Sequence, residues 1–325
     1  MIFGMTLYQV LWYFLIYSII GWIAEVIFHA VALGKIVNRG CLNGPVCPIY
    51  GFGVISIFAL VYAVTKVGES ALNTLSLGQL FFGGMILCSG VELLGGVILD
   101  KCFHVRWWDY SDIPFNFHGY ICLEFSLIWG LAATFVLRVL HPYIRTATVE
   151  FIPEQIGFPI LGVLYLIYFL DVVVTVMMFK RLNEKLGELD KVRKSLRVVS
   201  DGLTDALGTG AYVTKNTLYR GRDRAEKAGK RLRENAANAG QQLTNSAQTF
   251  GRGILESLGS GREKLEAKYR ELVRTFSAER YFGIGRLLRA HPGMKHRDYQ
   301  DVVEELQADL DGDSAAADGQ EMKKE

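Results

Sequence analysis

Long apolar runs alternate with short polar breaks as far as residue 180, and then the pattern changes. Five runs reach the roughly 20 mostly apolar residues that a helix needs to cross ~30 Å of hydrocarbon: 7–33, 48–66, 75–99, 120–140 and 157–179. The first reads as a span rather than a cleaved leader. It has no basic n-region, runs long and contains Glu25. Beyond the fifth run, Leu182, Leu186, Leu189, Leu196 and Val199 recur at helical spacing with charges between them. Residues 181–200 therefore read as an amphipathic juxtamembrane helix suited to pairing with another helix. Residues 201–262 hold few large apolar side chains and cannot bury a core, so frayed helix or disorder is expected there. Stretches 263–281 and 295–310 read as helices, and 311–325 as a solvated acidic tail. The predicted fold is all-α: a polytopic membrane helix bundle over 1–180 with a cytoplasmic helical, partly disordered C-terminal tail.

Charge orients that bundle. Residues 1–180 carry eight Lys and Arg against ten Asp and Glu, whereas 181–325 carry 27 against 23. No Lys or Arg precedes the first span, and a dense basic block follows the last. The positive-inside rule then puts the N-terminus outside and the C-terminus in the cytoplasm, in a multi-pass plasma-membrane protein. Eight basic residues between Lys215 and Arg233 suit anionic lipid at about 1 kcal/mol per charge. No stacking or groove-reading motif accompanies them, so nucleic acid is not an expected partner.

On this topology two unusual loops share the cytoplasmic side. "NRGCLNGPVCPIYGFG" (38–53) brings Asn38, Arg39, Gly44, Pro45, Pro48, Tyr50 and Gly51 to the gap between the first two spans. Its prolines lack donors and its glycines tolerate unusual dihedrals. Such backbone persists near a membrane only where protein or a wet cavity satisfies it. "RWWDYSDIPFNFHGYICLEF" (106–125) interleaves Arg106, Trp107, Trp108, Asp109, Tyr110 and Asn116. Its aromatics suit a membrane interface, but its charges need partners. Two dense loops on one side point to one composite site.

Ionisable residues inside spans are costly. Glu25, Glu92 and Asp171 come from three spans and lie at about 10–12 Å from their inner ends, with Glu124 at about 6 Å. Ser18, Glu25 and His29 share one helical face, as do Tyr168, Asp171 and Thr175, and Ser89, Glu92 and Gly96. Glu25, His29, Glu92, Asp171 and Glu124 are the candidate substrate-binding residues, lining a cavity for a cation, proton or amine. The alternative is structural: each acid caps a loop amide or pairs with Arg39, Lys101 or Arg106. A cavity-lining acid should tolerate its amide without loss of folding.

The GWxxE segment of the first span, the VNRGCLNGPVCPIYGFG loop and the RWWDYSDIPFNFHGYICLEF loop together resemble the ABC-transporter type IV (CmpB-like) permease family of bacterial membrane proteins, over roughly residues 8–179. The ending "LLRAHPGMKHRDYQDVVEEL" is similar to the tail of family members. Tyr120 stands where a basic residue is expected, and Glu124 where an uncharged one is usual. The resemblance implies an integral-membrane permease component served by an ATPase on a separate chain. The sequence has no GxSxG, HExxH or GxxxxGK[ST], so no catalytic residue is assigned and no ATP hydrolysis is expected of this chain. Its five cysteines show no metal-ligand spacing. Neither a metal nor a cofactor is expected. The competing reading is a membrane-anchored scaffold whose tail recruits partners.

Overall fold

The computed structural model describes residues 1–34, 37–226, 230–279 and 283–321. Five of its helices are long and apolar enough to cross a membrane. They are α1 (Leu7–Leu33), α2 (Pro48–Thr65), α3 (Leu77–Phe103), a fourth run over Leu123–Glu150, and the first part of a long helix after Glu154. The fourth run joins α4 (Leu123–Phe135) to α5 (His141–Arg145) through a π turn at Val136–Leu140, with another at Thr146–Glu150. It outlasts the predicted end at residue 140 because Pro142 falls in the first turn of α5, where its missing N–H costs nothing. The preceding π turn absorbs the change of register.

Helix starts are written in the sequence. Thr6 Oγ1 accepts the Gln9 N–H at 3.2 Å, while Gln9 Oε1 accepts the Thr6 N–H at 2.7 Å. Ser76 and Gln79 repeat this capping box at the start of α3, at 3.2 and 2.8 Å. Each box satisfies two donors that a helix leaves unpaired at its first turn. Pro48 opens α2, and α1 stops at Gly34, whose φ is 68°.

The polar faces turn inward. Ser18, His29, Ser89, Glu92 and Thr175 are all buried, whereas Ile86, Leu94, Leu131, Phe135, Leu166 and Ile167 lie exposed on the outside, as lipid requires. Helix α2 sits between α1 and α3, and α3 packs on α4. Close approach of α1 and α2 requires Gly51, because a Cβ there would fall 2.6 Å from the Phe14 carbonyl oxygen. Tyr13, Tyr17, Ile57, Phe58, Leu80 and Leu137 form the principal apolar core.

The chain divides into two compact units, Met1–Glu184 with Phe276–Glu325, and Lys185–Thr275. The first adds to the bundle four two-residue strands and two further helices. β1 (Val105–Arg106), β2 (Asn116–Phe117) and β3 (Ile121–Cys122) belong to the loop between α3 and α4, and β4 (Lys295–His296) to the C-terminal segment. β2 and β3 form a hairpin, and β1 pairs antiparallel with β4, Val105 opposite His296. The helix expected from residue 295 therefore begins only at Gln300, since the backbone of 295–296 is committed to β1.

The long helix is α6 (Glu154–Glu226), whose residues from 185 onward belong to the second unit with most of α7 (Lys230–Ala278). There Leu186, Leu189 and Val192 are buried, and Lys268 of α7 pairs with Glu188 at 2.8 Å. Lys35, the side chains between Lys215 and Arg233, Tyr281 and residues 322–325 lie outside the described residues.

Candidate functional site

The first loop is tied into a closed module. Asn38 Oδ1 accepts the Trp22 indole N–H at 2.7 Å and the Gly40 N–H at 2.9 Å, while Asn38 Nδ2 donates to the Asn43 carbonyl at 2.8 Å. Asp171, from α6, accepts the backbone N–H and side-chain amide of Asn43, both at 3.0 Å, and the Gly44 N–H at 2.7 Å. The carbonyl side of the same loop is held by Arg286, in the short helix α8 (Ile284–Ala290). Its Nη1 donates to the Asn38 and Gly40 carbonyls at 2.9 Å each, and its Nη2 to those of Cys41 and Leu42 at 3.3 and 3.2 Å. Arg286 is 4% exposed. Burial lowers the pKa of its guanidinium, against an opposing pull from Cys41 and Asp171. An anion thus gathers the loop amides and a cation its carbonyls, which is how irregular backbone survives there. Pro45 is exposed, and Pro48 starts α2. Burial pushes the Cys41 and Cys47 thiols up to about 12, so neither is a ready nucleophile.

The second loop folds on the hairpin. The Trp108 indole N–H donates to the Tyr120 carbonyl at 2.9 Å, and Asn116 Nδ2 donates to the Ile113 carbonyl at 2.8 Å. Arg106 donates to Asp100 at 3.2 Å and lies 4.4 Å above the Tyr120 ring. Tyr120 therefore serves as a platform for a cation rather than as one. Burial pushes the Asp109 carboxyl up, but hydrogen bonds from Lys295 and Ser111 outweigh it and hold its pKa below the usual range. Lys295 reaches Asp109 at 2.7 Å. On the same segment His104 contacts Asp298, and Trp107 stacks on His291 with ring centroids 4.6 Å apart. Burial and the charges of Arg39 and Arg286 bring the His291 pKa down to about 3, so that ring is neutral. The C-terminal segment, which is completed by α9 (Gln300–Glu321), thus touches both loops.

Above the loops the acids divide. Glu25 accepts the Tyr50 hydroxyl at 2.6 Å and lies 3.5 Å from Arg39 Nη1. Glu92, 4% exposed, accepts the Tyr110 hydroxyl at 3.0 Å and the Trp129 indole N–H at 2.9 Å. The Tyr50 and Trp129 rings meet edge to face at 5.6 Å. Glu25, Tyr50, Trp129, Glu92 and Tyr110 therefore form one continuous chain across α1, α2, α4 and α3. His29 is buried one turn beyond Glu25, whereas Glu124 is exposed at the start of α4. Asp171 is occupied by the first loop. Among the described residues no cluster of His, Cys, Asp and Glu has metal-binding geometry.

Trp129 and Arg286 escaped the sequence reading. Trp129 resembles any interfacial tryptophan, and Arg286 in "GIGRLLRA" reads as one more solvated charge. No curated protein and no solved structure matches the chain. A family described as Putative ABC-transporter type IV matches residues 12–176, just over half of the sequence, taking in all of the acids and both loops. With five apolar helices, two motif loops and that match, the chain belongs to this family of membrane transporter components.

Proposed function

We propose that the bundle is the permease-type component of a transporter whose polar site faces the cytoplasm and whose ATPase, where one is used, sits on a separate chain. The observation that carries this reading is Glu92. It is buried, its two donors are neutral, and no basic side chain among the described residues lies within ion-pair distance. An ionised carboxylate so placed is costly, and a bound proton or cation neutralises it. Glu25 belongs to the same cluster, joined to Glu92 through the edge-to-face contact of Tyr50 with Trp129 and not through an unbroken line of hydrogen bonds. The substrate class that fits is cationic or proton-linked.

Dicyclohexylcarbodiimide, which modifies protonated carboxyls in apolar surroundings, tests this in native membranes. Glu92 should be labelled, and saturating Na⁺, K⁺ or an alkylammonium salt should protect it. Labelling that is absent, or indifferent to every cation, sinks the reading. Orientation is tested separately in a cysteine-free background. Phe151→Cys, at a strongly exposed position, should react with an impermeant maleimide added outside, and Asp112→Cys only after permeabilisation. The reverse pattern would put the two loops outside.

The long helices α6 and α7, with Leu186 and Leu189 buried, favour a second reading for that part alone. There the chain acts as a helical platform for partners, anchored by the bundle.

A further inference from the structure

The loop between α3 and α4 carries five aromatic side chains from Trp107 to Phe117, and the structure divides them. Trp107 stacks on His291, the Trp108 indole donates to the Tyr120 carbonyl, and the Tyr110 hydroxyl reaches Glu92. Phe115 and Phe117 stay 84% and 55% exposed, with Pro114 exposed beside them.

That exposure is held in place. Phe115 has a φ of 56°, in the left-handed region where the Cβ of a bulky residue is crowded. The turn that keeps it there is densely bonded. Asn116 Nδ2 donates to the Ser111 and Ile113 carbonyls at 3.1 and 2.8 Å, and its Oδ1 accepts the Gly119 N–H at 3.1 Å. A Cβ at Gly119, whose φ is 73°, would collide with Asp109 Oδ1 and Ser111 Oγ. Strained backbone persists only where its surroundings over-determine it, and it gathers at sites with a task.

The place of the turn in the fold says what that task is. The Phe115 carbonyl accepts the N–H of Leu123, the first residue of α4, at 3.3 Å. From there Leu123, Leu127, Leu131 and Phe135 follow at four-residue steps, each exposed, as one stripe along a membrane-spanning run. The two phenyl rings continue that lipid-facing stripe past the end of the helix. Ser111, Asp112 and His118 of the same loop are exposed as well, so its surface is mixed. Mixed polar and aromatic surface suits the layer between headgroups and acyl chains. We infer that the β2–β3 hairpin, with Phe115 leading it, is a membrane-surface anchor whose two phenyl rings sit among the first acyl-chain carbons of the adjacent leaflet.

The anchor positions more than itself. Tyr110 donates its backbone N–H to the Gly119 carbonyl and its carbonyl accepts the Ile113 N–H, both at 2.9 Å. The residue that reaches Glu92 therefore hangs from the same turn. Lipid becomes a support of this loop in addition to Lys295, which holds it through Asp109. The inference needs only that the chain spans a membrane, and it stands independently of the transport reading and of the side that the loop faces.

The test is fluorine NMR of the full-length protein in phosphatidylcholine nanodiscs, with its 19 phenylalanines replaced by para-fluorophenylalanine. The lines to follow are those lost in Phe115→Leu and in Phe117→Leu. Should either variant fail to fold, nonsense suppression that inserts the fluorinated residue at that one position assigns the line instead. A phosphatidylcholine bearing a nitroxide near the head of its acyl chain should broaden both lines about twofold more than an aqueous gadolinium chelate does. Broadening of either line led or matched by the chelate would put the hairpin in water and leave its apolar face to a protein partner. Lines that ignore both reagents would mean that protein already covers the rings. Either result overturns the proposal.

Discussion

Replacing Arg286 with Met will destabilise the first unit by about 3 kcal/mol or more and free the segment around α8 from the bundle. Four carbonyls of the first loop lose a charged donor at once, and each such bond is worth about 1.5–3 kcal/mol singly, though not additively. The apolar side chains Leu287, Leu288 and Met294, now buried, become easier to expose with it. Trypsin gives the cleaner readout, through faster cutting at Arg289, Lys295 and Arg297, alongside a lower Tm in detergent. Arg286→Lys should fall between the two. A single ammonium has three donors on one atom and cannot span four carbonyls as the guanidinium fork does. Native-like trypsin resistance in the Met variant would show that the segment is held without its arginine.

The second large effect is expected at Asp171, and it separates acids that the sequence grouped together. Asp171→Ala leaves two backbone N–H groups and an amide of the first loop without an acceptor, a loss of about 3 kcal/mol or more. Asp171→Asn recovers only part of this, because one oxygen becomes an NH₂ group facing donors. Glu92→Gln behaves differently. Trp129 can only donate, but the Tyr110 hydroxyl can turn and accept, so the amide satisfies both neighbours. Glu92→Gln should therefore keep a near-native Tm while losing carbodiimide labelling, and Asp171→Asn should unfold at lower temperature. Equal Tm values for the two variants would mean that Asp171 does not secure the loop. The two substitutions thus separate an acid that lines a cavity from one that caps loop amides.

Why one part was legible and another was not follows from what each residue answers to. The spans are set by local features: apolar length, the Thr6–Gln9 and Ser76–Gln79 boxes, Pro48 at a helix start and Gly34 at a helix end. Polar stripes such as Ser89 and Glu92 mark an inward face because lipid leaves them no other choice. Arg286 and His141 answer to long-range geometry instead. Arg286 meets a loop about 245 positions away, and His141 meets Tyr17 across 124. Glu69, 3.2 Å from His141, lies in "VGESALNTL", which reads as a polar connector until the fourth span is laid beside it. Pairing at such separations leaves no periodicity behind.

The grip of Arg286 on the first loop also has a consequence in time. The Asn38 carbonyl waits for a partner that is synthesised 248 residues later. At about 5–20 residues per second, a ribosome needs roughly ten to fifty seconds to cover that distance. Throughout that interval the four carbonyls must be served by water, lipid headgroups or a chaperone, with α1 and α2 already made. The arrival of the arginine then closes a backbone that has stood open throughout that interval, so this end of the bundle is finished only once the segment around α8 has been made.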